Sequence, residues 1–380
     1  MVRFIFLILF FCLSMSVSLA QSLYRARVVD AETGEGMPYV NVTAGMNRGA
    51  VTNLEGDFAI RMDAGDSLQL SFVGYEACKL AAADLPRVIK MKALSLSVGE
   101  VTVLSDYAIL MNVYERMAAD CNKRLTKLYF SRIAIKTKQG GELVESLMEA
   151  NSPINVRDMK VLSGACWTYT PEGGRYPSQL QRSNLHALMQ AAPMMLNNPL
   201  GSHFISPFPL SCSAEFLQRN YSVALQTVEA DSGSRMHILD LKPKDSREGI
   251  LSGKMYVDAE TFRLLRFDGV LQGVAINLHR SDRERSLKSA TAATRLQIVY
   301  DYSNGVAEVK NVLFRGRTEE LDVSMMLLET ELEGKPSKRG VTVRGNLIDA
   351  INEAGDRIDM GQLKRSILRT QEEEAIAGQQ

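Results

Sequence analysis

The stretch from Leu23 to Val103 limits most strongly what this 380-residue chain can fold into. It contains short runs in which apolar and polar residues alternate, separated by turn clusters rich in glycine and aspartate. β-Branched and aromatic residues suit a pleated, half-buried surface, and glycine and aspartate favour tight turns. The pattern therefore predicts a complete small β-sandwich. Its predicted strands are residues 24–29, 39–43, 58–62, 68–72 and 88–91.

Four consecutive segments within this stretch are more specific than the spacing of its strands. They are Val28–Glu35, Met37–Val42, Gly49–Phe58 and Leu70–Tyr75. In this order they resemble the carboxypeptidase-regulatory-like domain, a transthyretin-like sandwich common in cell-envelope proteins of Bacteroidetes-type bacteria. For residues 23–103 the resemblance implies an envelope location and a module for scaffolding or partner docking. It implies no reaction and no cofactor.

Residues 1–20 precede the sandwich and have the features of a secretory signal peptide. Arg3 gives a positive start, residues 4–13 are apolar, and Ser18-Leu19-Ala20 forms a cleavage site with small residues at its first and third positions. We therefore expect an exported protein, in the periplasm or on the periplasmic face of the outer membrane, with no transmembrane segment after cleavage. The formal net charge of zero gives no electrostatic reason to expect nucleic acid as a partner.

A helix is predicted directly after the sandwich, over residues 106–128. Asp106 is placed as its N-cap, and the apolar residues that follow recur at helical spacing. They are Leu110, Val113, Met117, Cys121, Leu125 and Leu128. Because amphipathic helices usually bury their apolar stripe within their own chain, we expect a connector docked on the second domain rather than a helix for a partner.

From Tyr129 the apolar period changes to two, which predicts a β-rich domain over residues 129–340. A proline-rich insertion with a short helix interrupts it at residues 171–220, and a tail with one short helix, expected to fray, follows at 341–380. Gly140-Gly141 and Asn304-Gly305 are predicted hairpin turns. The predicted strands are residues 130–137, 143–150, 160–162, 222–228, 236–241, 253–258, 262–267, 294–302, 307–315 and 322–332.

The segment Tyr256-Val257-Asp258, followed by Thr261, suggests how these strands are arranged. It is similar to a hairpin of curved half-barrel sheets of the lipoprotein-carrier type. The fold class expected for the whole chain is therefore mainly β: a transthyretin-like sandwich, a connecting amphipathic helix, and a curved antiparallel β domain. The resemblance implies an apolar concave face, partly covered by the helix and the insertion.

Aromatic residues cluster on both sides of the insertion. Such a cluster favours an apolar ligand or partner surface, and the alternative is that these rings pack the insertion onto the sheet. The candidate residues are Trp167, Tyr169, Tyr176, Phe204, Phe208, Phe216 and Tyr221.

The histidines and serines of the chain form no common catalytic or metal-binding motif. The four histidines form no HxxE or HExxH motif, so no zinc-peptidase site is predicted. No GxSxG motif is present for a serine nucleophile. Cys166 and Cys212 flank the insertion that contains His186 and His203, which leaves a Cys-His pair, a Cys166–Cys212 disulfide, or buried thiols as alternatives.

Two groups of carboxylates allow a second interpretation. Asn53, Glu55 and Asp57 have the spacing of part of a calcium loop, but the later bidentate carboxylate is missing, so a turn is preferred. Asp258 and Glu260 are the nearest candidates for a glycosidase pair, although an aspartate after a strand is usually a cap. We therefore expect no catalytic residue, no metal and no cofactor.

Three functions are compatible with these sequence features. The first is a non-enzymatic cell-envelope accessory protein, in which the sandwich is a scaffold or docking module and the curved sheet binds an envelope protein or an apolar ligand. The second is a periplasmic carrier or chaperone for lipid or outer-membrane components, which predicts an apolar cavity under the insertion. The third is a hydrolase with an unrecognised site.

Overall fold

The structure is a computed structural model, and it divides into two compact units. It describes residues 22–45, 48–63, 65–94, 105–120, 123, 125–152, 157–171, 218–219, 221–229, 233–244, 251–271, 293–317, 321–330, 340–344 and 347–378. One unit comprises Met1–Ala93 with Lys364–Thr370, and the other comprises Leu94–Leu363 with Gln371–Gln380. The predicted signal peptide lies outside the described residues. No helix in the described ranges has the length and apolar character needed to cross a bilayer.

The first unit is the β-sandwich that the sequence predicts. One sheet has the strand order β4-β1-β7 and the other β3-β2-β5-β6, and the inward side chains of both form one apolar core. Prediction missed the four-residue strands β3 and β6 because β3 has one buried residue and β6 has none, whereas the equally short β2 and β7 each alternate exposed and buried residues. The bounds are Ser22–Asp30 (β1), Asn41–Ala44 (β2), Arg48–Val51 (β3), Asp57–Met62 (β4), Ser67–Ser71 (β5), Cys78–Ala81 (β6) and Val88–Met91 (β7).

The second unit is built on one large, curved, antiparallel sheet with eleven strands. Their order is β11-β12-β13-β14-β15-β16-β17-β8-β9-β10-β18. The strands are Leu125–Thr137 (β8), Gly140–Ser152 (β9), Arg157–Tyr169 (β10), Tyr221–Glu229 (β11), Arg235–Pro243 (β12), Leu251–Asp258 (β13), Leu264–Leu271 (β14), Ala293–Asp301 (β15), Glu308–Arg317 (β16), Leu321–Thr330 (β17) and Val341–Thr342 (β18). The helices are Asp106–Asp120 (α1), Leu347–Ala354 (α2), Gly361–Ser366 (α3) and Gln371–Ala377 (α4).

The connecting helix is shorter than the sequence predicts. It ends at Asp120, and β8 begins at Leu125, so residues 125–128 lie in a strand. Leu125 and Leu128 continue the helical stripe, but they also fit the β8 strand, whose pairing with β9 and β17 decides their conformation. The N-cap is Ser105 rather than Asp106, since the backbone N–H of Ala108 donates to Ser105 Oγ over 3.3 Å.

Two further details of the hairpins differ from prediction or refine it. Gly140 and Gly141 lie in β9, and the turn after β8 consists of residues 138–139. The turn at Asn304-Gly305 is present, with Gly305 at a φ of 76°. The strand predicted from Phe262 begins instead at Leu264, because Asp258 caps the preceding turn and Phe262 has a φ of 56°.

The C-terminal tail is ordered by packing, and it contains three helices where the sequence predicted one. Leu347, Ile348 and Ile351 of α2 are buried against the sheet. A Cβ on Gly164 of β10 would lie 2.8 Å from Ile351 Cγ2, so only glycine permits this approach. Ser163 Oγ accepts hydrogen bonds from the N–H groups of Arg357 and Ile358 at 3.0 and 3.1 Å.

Candidate functional site

The face of the large sheet that packs against α1, called the inner face here, is apolar across ten strands. Directly paired residues form one uninterrupted row from β10 to β11. Its members are Cys166, Val144, Ile133, Met325, Phe314, Leu296, Gly269, Gly253, Leu241 and Val223. A cross-strand row of this kind is the unit of side-chain packing in a sheet. It gives the inner face a continuous apolar stripe that runs across the strands.

A second row lies beside the first and repeats its character. Its members are Gly164, Ser146, Ser131, Leu327, Val312, Ile298, Phe267, Met255, Leu239 and Leu225. Only Ser131 and Ser146 are polar, and they pair with each other across β8 and β9. The two rows together define an apolar surface wide enough to receive a helix.

The opposite, outer face is different in chemistry. The row that alternates with those of the inner face is Ala165, Glu145, Arg132, Met326, Leu313, Gln297, Asp268, Lys254, Asp240 and Ala224. More than half of this row is charged or carries an amide. The sheet therefore separates an apolar face from a mixed polar one, as expected when side chains alternate with a period of two.

Helix α1 covers the inner face with its apolar stripe. Five of its side chains are buried in the same core cluster as the two rows: Ile109, Leu110, Val113, Tyr114 and Met117. On the other side of the helix, Glu115 and Arg116 are exposed. The predicted connector docked on the second domain therefore covers part of its apolar face, and α2 covers another part through Ile351, which contacts Gly164.

Two hydrogen bonds fix the ends of this helix, and we call them the helix latches. Near its N-terminus, the Tyr107 hydroxyl donates to the carbonyl oxygen of Tyr221 in β11 over 2.8 Å. At its C-terminus, the backbone N–H of Ala307 donates to Asp120 Oδ2 over 2.8 Å. Each latch involves one helix side chain and one backbone group of the β domain. Both hydrogen bonds connect residues far apart in the chain, so no local signal in the sequence could have revealed them.

The predicted aromatic surface is described only in part. Trp167 and Tyr169 lie on the outer face of β10, whereas Tyr221 is buried on the inner face of β11. These strands stand at opposite ends of the strand order, apart from β18. Tyr176, Phe204, Phe208 and Phe216 lie outside the described residues, as does the predicted helix of the insertion. The surface as a whole stays a prediction.

The cysteine proposed as a nucleophile occupies an unfavourable position for that role. Cys166 is a free thiol on the inner face. Burial raises its pKa to about 12, and the nearby negative charge of Glu142 adds to the rise. A thiol with this pKa is almost entirely protonated at neutral pH, and the thiolate is the nucleophilic form. Cys212, His186 and His203 lie outside the described residues.

Asp258 and Asn53, which the sequence analysis singled out, have structural tasks. Asp258 Oδ1 accepts hydrogen bonds from the backbone N–H and the hydroxyl of Thr261 at 2.7 and 2.6 Å, which makes it the predicted cap. Asn53 Oδ1 accepts from the N–H groups of Glu55 and Asp57 at 3.0 and 2.9 Å, which makes this segment the predicted turn. In the described ranges, no group of three or more His, Cys, Asp or Glu residues is arranged to hold a metal ion.

Comparison with solved structures gives low-identity similarities. The LolA superfamily protein from Nitrosomonas europaea is 12% identical with a TM-score of 0.26, covering 60% of this chain and 93% of that one. A putative outer membrane lipoprotein-sorting protein domain from Vibrio parahaemolyticus is 12% identical with a TM-score of 0.23, covering 65% and 96%. The MucA/MucB complex of Pseudomonas aeruginosa gives 11% identity and a TM-score of 0.18, covering 59% and 94%.

Comparison of the sequence with family models gives a match to the first unit, and comparison with curated proteins gives no match. The matched family is the CarboxypepD_reg-like domain, over residues 25–103. This range contains six complete strands of the sandwich and most of β1. It also contains the four segments that carry the resemblance in the sequence. Residues 25–103 are therefore a carboxypeptidase-regulatory-like domain.

Proposed function

We propose that this protein is an exported, non-enzymatic component of the cell envelope. In this proposal the inner face of the large sheet binds an apolar ligand or an apolar partner segment in place of helix α1. The carboxypeptidase-regulatory-like domain serves as a scaffold or docking module. The observation that carries the proposal is the pair of apolar rows across ten strands, covered by a helix.

The size of the helix contact sets the kind of ligand that can replace it. Five buried apolar side chains at about 1.5–3 kcal/mol each give roughly 8–15 kcal/mol of burial. A sixteen-carbon acyl chain, at about 0.8 kcal/mol for each buried CH₂, gives roughly 12 kcal/mol. A small apolar molecule gives much less. The free energy of burial that the ligand gains therefore matches the one that α1 loses only for a long acyl chain or for a segment with several large apolar side chains.

The helix latches favour an exchange of this kind. Each is one hydrogen bond, worth about 0.5–1.5 kcal/mol net, so the ends of α1 are held weakly in comparison with its apolar stripe. A ligand that supplies equivalent apolar burial breaks these two bonds when it displaces the helix. Its apparent affinity is set by how often the helix is displaced.

The non-enzymatic part of the proposal has two supports among the described residues. The raised pKa of Cys166 opposes a thiolate nucleophile, and Asp258 already accepts two hydrogen bonds as a cap. Cys166 is engaged in packing and Asp258 in capping. Glu260, the other carboxylate of the pair that the sequence offered, is exposed.

A carrier for lipid is the second candidate, and one observation favours it. The apolar side chains that α1 buries on the inner face match a long acyl chain in the free energy of burial. Lipid extraction and mass spectrometry of protein purified from its native envelope separate the two candidates. A bound acylated lipid supports the carrier, and a protein partner recovered by cross-linking without lipid supports the accessory protein.

Binding of a fluorescent sixteen-carbon fatty acid tests the inner face directly. Tyr107→Phe removes one latch without changing apolar area, so probe affinity should rise about fivefold. Tyr24→Phe is the matched control, since it removes a tyrosine hydroxyl that donates to Pro86 O in the sandwich. Equal probe affinity for wild type and Tyr107→Phe would contradict the proposed exchange, as would an absence of probe binding in every variant.

A further inference from the structure

Edge strand β11 differs sharply from the other end of the large sheet. At that end, β18 pairs with Lys160 and Val161 of β10, and the N–H of Gly164 donates to Gly355 O over 3.0 Å. The chain's own tail therefore covers the β10 edge. Among the described strands, β12 alone pairs with β11, and its second edge carries no partner strand.

β11 lacks the features that normally protect an edge strand. It has nine residues, and its pairing with β12 runs without a bulge from Tyr221 to Glu229. Its sequence, YSVALQTVE, contains no lysine, arginine, proline or glycine, and its single charge is at its end. Natural sheets protect free edges with charges, prolines, bulges or very short strands. A long, regular, nearly uncharged edge is therefore a site for strand addition.

The side chains in the middle of β11, from Ser222 to Thr227, are exposed or half-buried, whereas Tyr221 and Val228 near its ends are buried. Ser222, Ala224 and Gln226 are exposed on the outer side. On the inner side, Val223 and Leu225 end the two apolar rows and are only half-buried. The apolar rows thus reach the edge of the sheet, where a further strand would continue them.

We propose that β11 pairs antiparallel with β11 of a second copy of this chain, about a two-fold axis at Leu225. This pairing sets Ala224 opposite Gln226 of the partner subunit, and Val223 opposite Thr227 of the partner subunit. Leu225 meets the same residue of the partner, and Glu229 lies opposite Tyr221 of the partner subunit. No like charges face each other, and β-branched residues are paired, which favours a sheet. The interface is isologous, as most homodimer interfaces are.

The choice of a second copy over a foreign strand follows from this self-complementarity. A strand that is nearly neutral and has one acidic end can pair with itself in antiparallel order without repulsion. Directly opposite residues then point to the same face, so the row that ends at Leu225 continues into the same row of the second copy. The row that ends at Val223 meets Thr227 of the partner subunit, whose neighbour in β12 is a histidine. The proposal concerns association and is independent of what the inner face binds.

Sedimentation velocity of the mature full-length protein over a wide concentration range tests the proposal. Wild type should form dimers. Ala224→Lys with Gln226→Lys should weaken dimerisation about tenfold, because two pairs of like charges then face each other across the interface. Ala224→Glu with Gln226→Glu should have a similar effect. An equimolar mixture of the two double variants should restore a heterodimer, and native mass spectrometry identifies it.

The matched control places the same charges on a strand inside a sheet. Gln69→Lys with Ser71→Lys changes two exposed positions of β5, which lies between β2 and β6. This variant should dimerise as wild type does. A monomeric wild type at every concentration would overturn the proposal, and so would a lysine variant that dimerises normally. A mixture that does not associate would also overturn it, even if one double variant folds poorly.

Discussion

The buried ion network around Arg132 offers a sharp test of how the C-terminal helix is held. Arg132 Nε lies 2.8 Å from Glu145 Oε1, and Arg132 Nη1 lies 3.5 Å from Glu373 Oε2 on α4. The side chains are only 2%, 0% and 5% exposed, respectively. Arg132→Met leaves two buried carboxylates without this cation. Breaking a buried pair in this way costs about 3–5 kcal/mol, a large share of the roughly 5–15 kcal/mol of typical domain stability.

Replacing the whole network should have a different outcome. In the triple variant Arg132→Met, Glu145→Leu and Glu373→Leu, none of these three charges remains to be desolvated. Buried ion networks replaced by apolar residues of similar volume are often neutral or gain stability. The triple variant should therefore recover most of the stability that the single variant loses.

The assay is urea unfolding followed by the fluorescence of Trp167, the only tryptophan of the chain. Trp167 lies in β10 next to β9, so its signal reports on the large sheet rather than on the sandwich. Free energies of unfolding follow from linear extrapolation. A loss below about 1 kcal/mol for Arg132→Met, or a triple variant as unstable as the single one, would refute this account of the network.

Three further predictions concern the same unit. Gly164→Leu should displace α2, because even a Cβ at this position would lie 2.8 Å from Ile351 Cγ2. Hydrogen exchange of the backbone amides of residues 347–354 should then be faster than in wild type. Adding Ile351→Ala should partly restore the protection of these amides. Cys166 should react with a thiol reagent at pH 8 roughly a thousandfold more slowly in the folded than in the unfolded protein, because burial raises the pKa of its thiol to about 12. Peptide mapping by mass spectrometry measures the rate of its modification. Burial disfavours the charged form of Lys127, but hydrogen bonds to two glutamates favour it and raise the pKa of Lys127 to about 12. The stability that the charged ammonium contributes is therefore complete below pH 10.5 and is lost as the pH rises towards 12. Unfolding free energies of wild type and Lys127→Arg should therefore diverge only above pH 10.5, and a parallel pH profile would contradict the assignment.

The strands could be predicted from sequence because their signal is local. Each segment predicted between residues 130 and 332 contains or overlaps an observed strand, since alternation follows directly from a half-buried sheet. The cap at Asp258 was predictable for the same reason, because a capping side chain and its turn lie within three residues.

The features that sequence reasoning missed depend on partners far apart in the chain. The end of α1 at Asp120 depends on pairing of β8 with β17, and the Tyr107 latch joins residues 114 positions apart. The helical tail was predicted to fray because its apolar residues look sparse along the chain. They are buried through contacts such as that of Ile351 with the β10 glycine. The character of the inner face was expected from a resemblance, but its continuity across ten strands depends on register, which one sequence does not specify.

The membership of residues 364–370 in the sandwich unit has a consequence for biogenesis. Asn53 Nδ2 donates to Arg369 O over 3.4 Å, a bond that joins residues 316 positions apart. Because synthesis runs from the N-terminus, Asn53 leaves the ribosome long before Arg369 does. The first unit therefore reaches its final form only after residues 94–363 of the second unit have been synthesised. A product truncated shortly before residue 364 would release a sandwich that lacks one of its own segments.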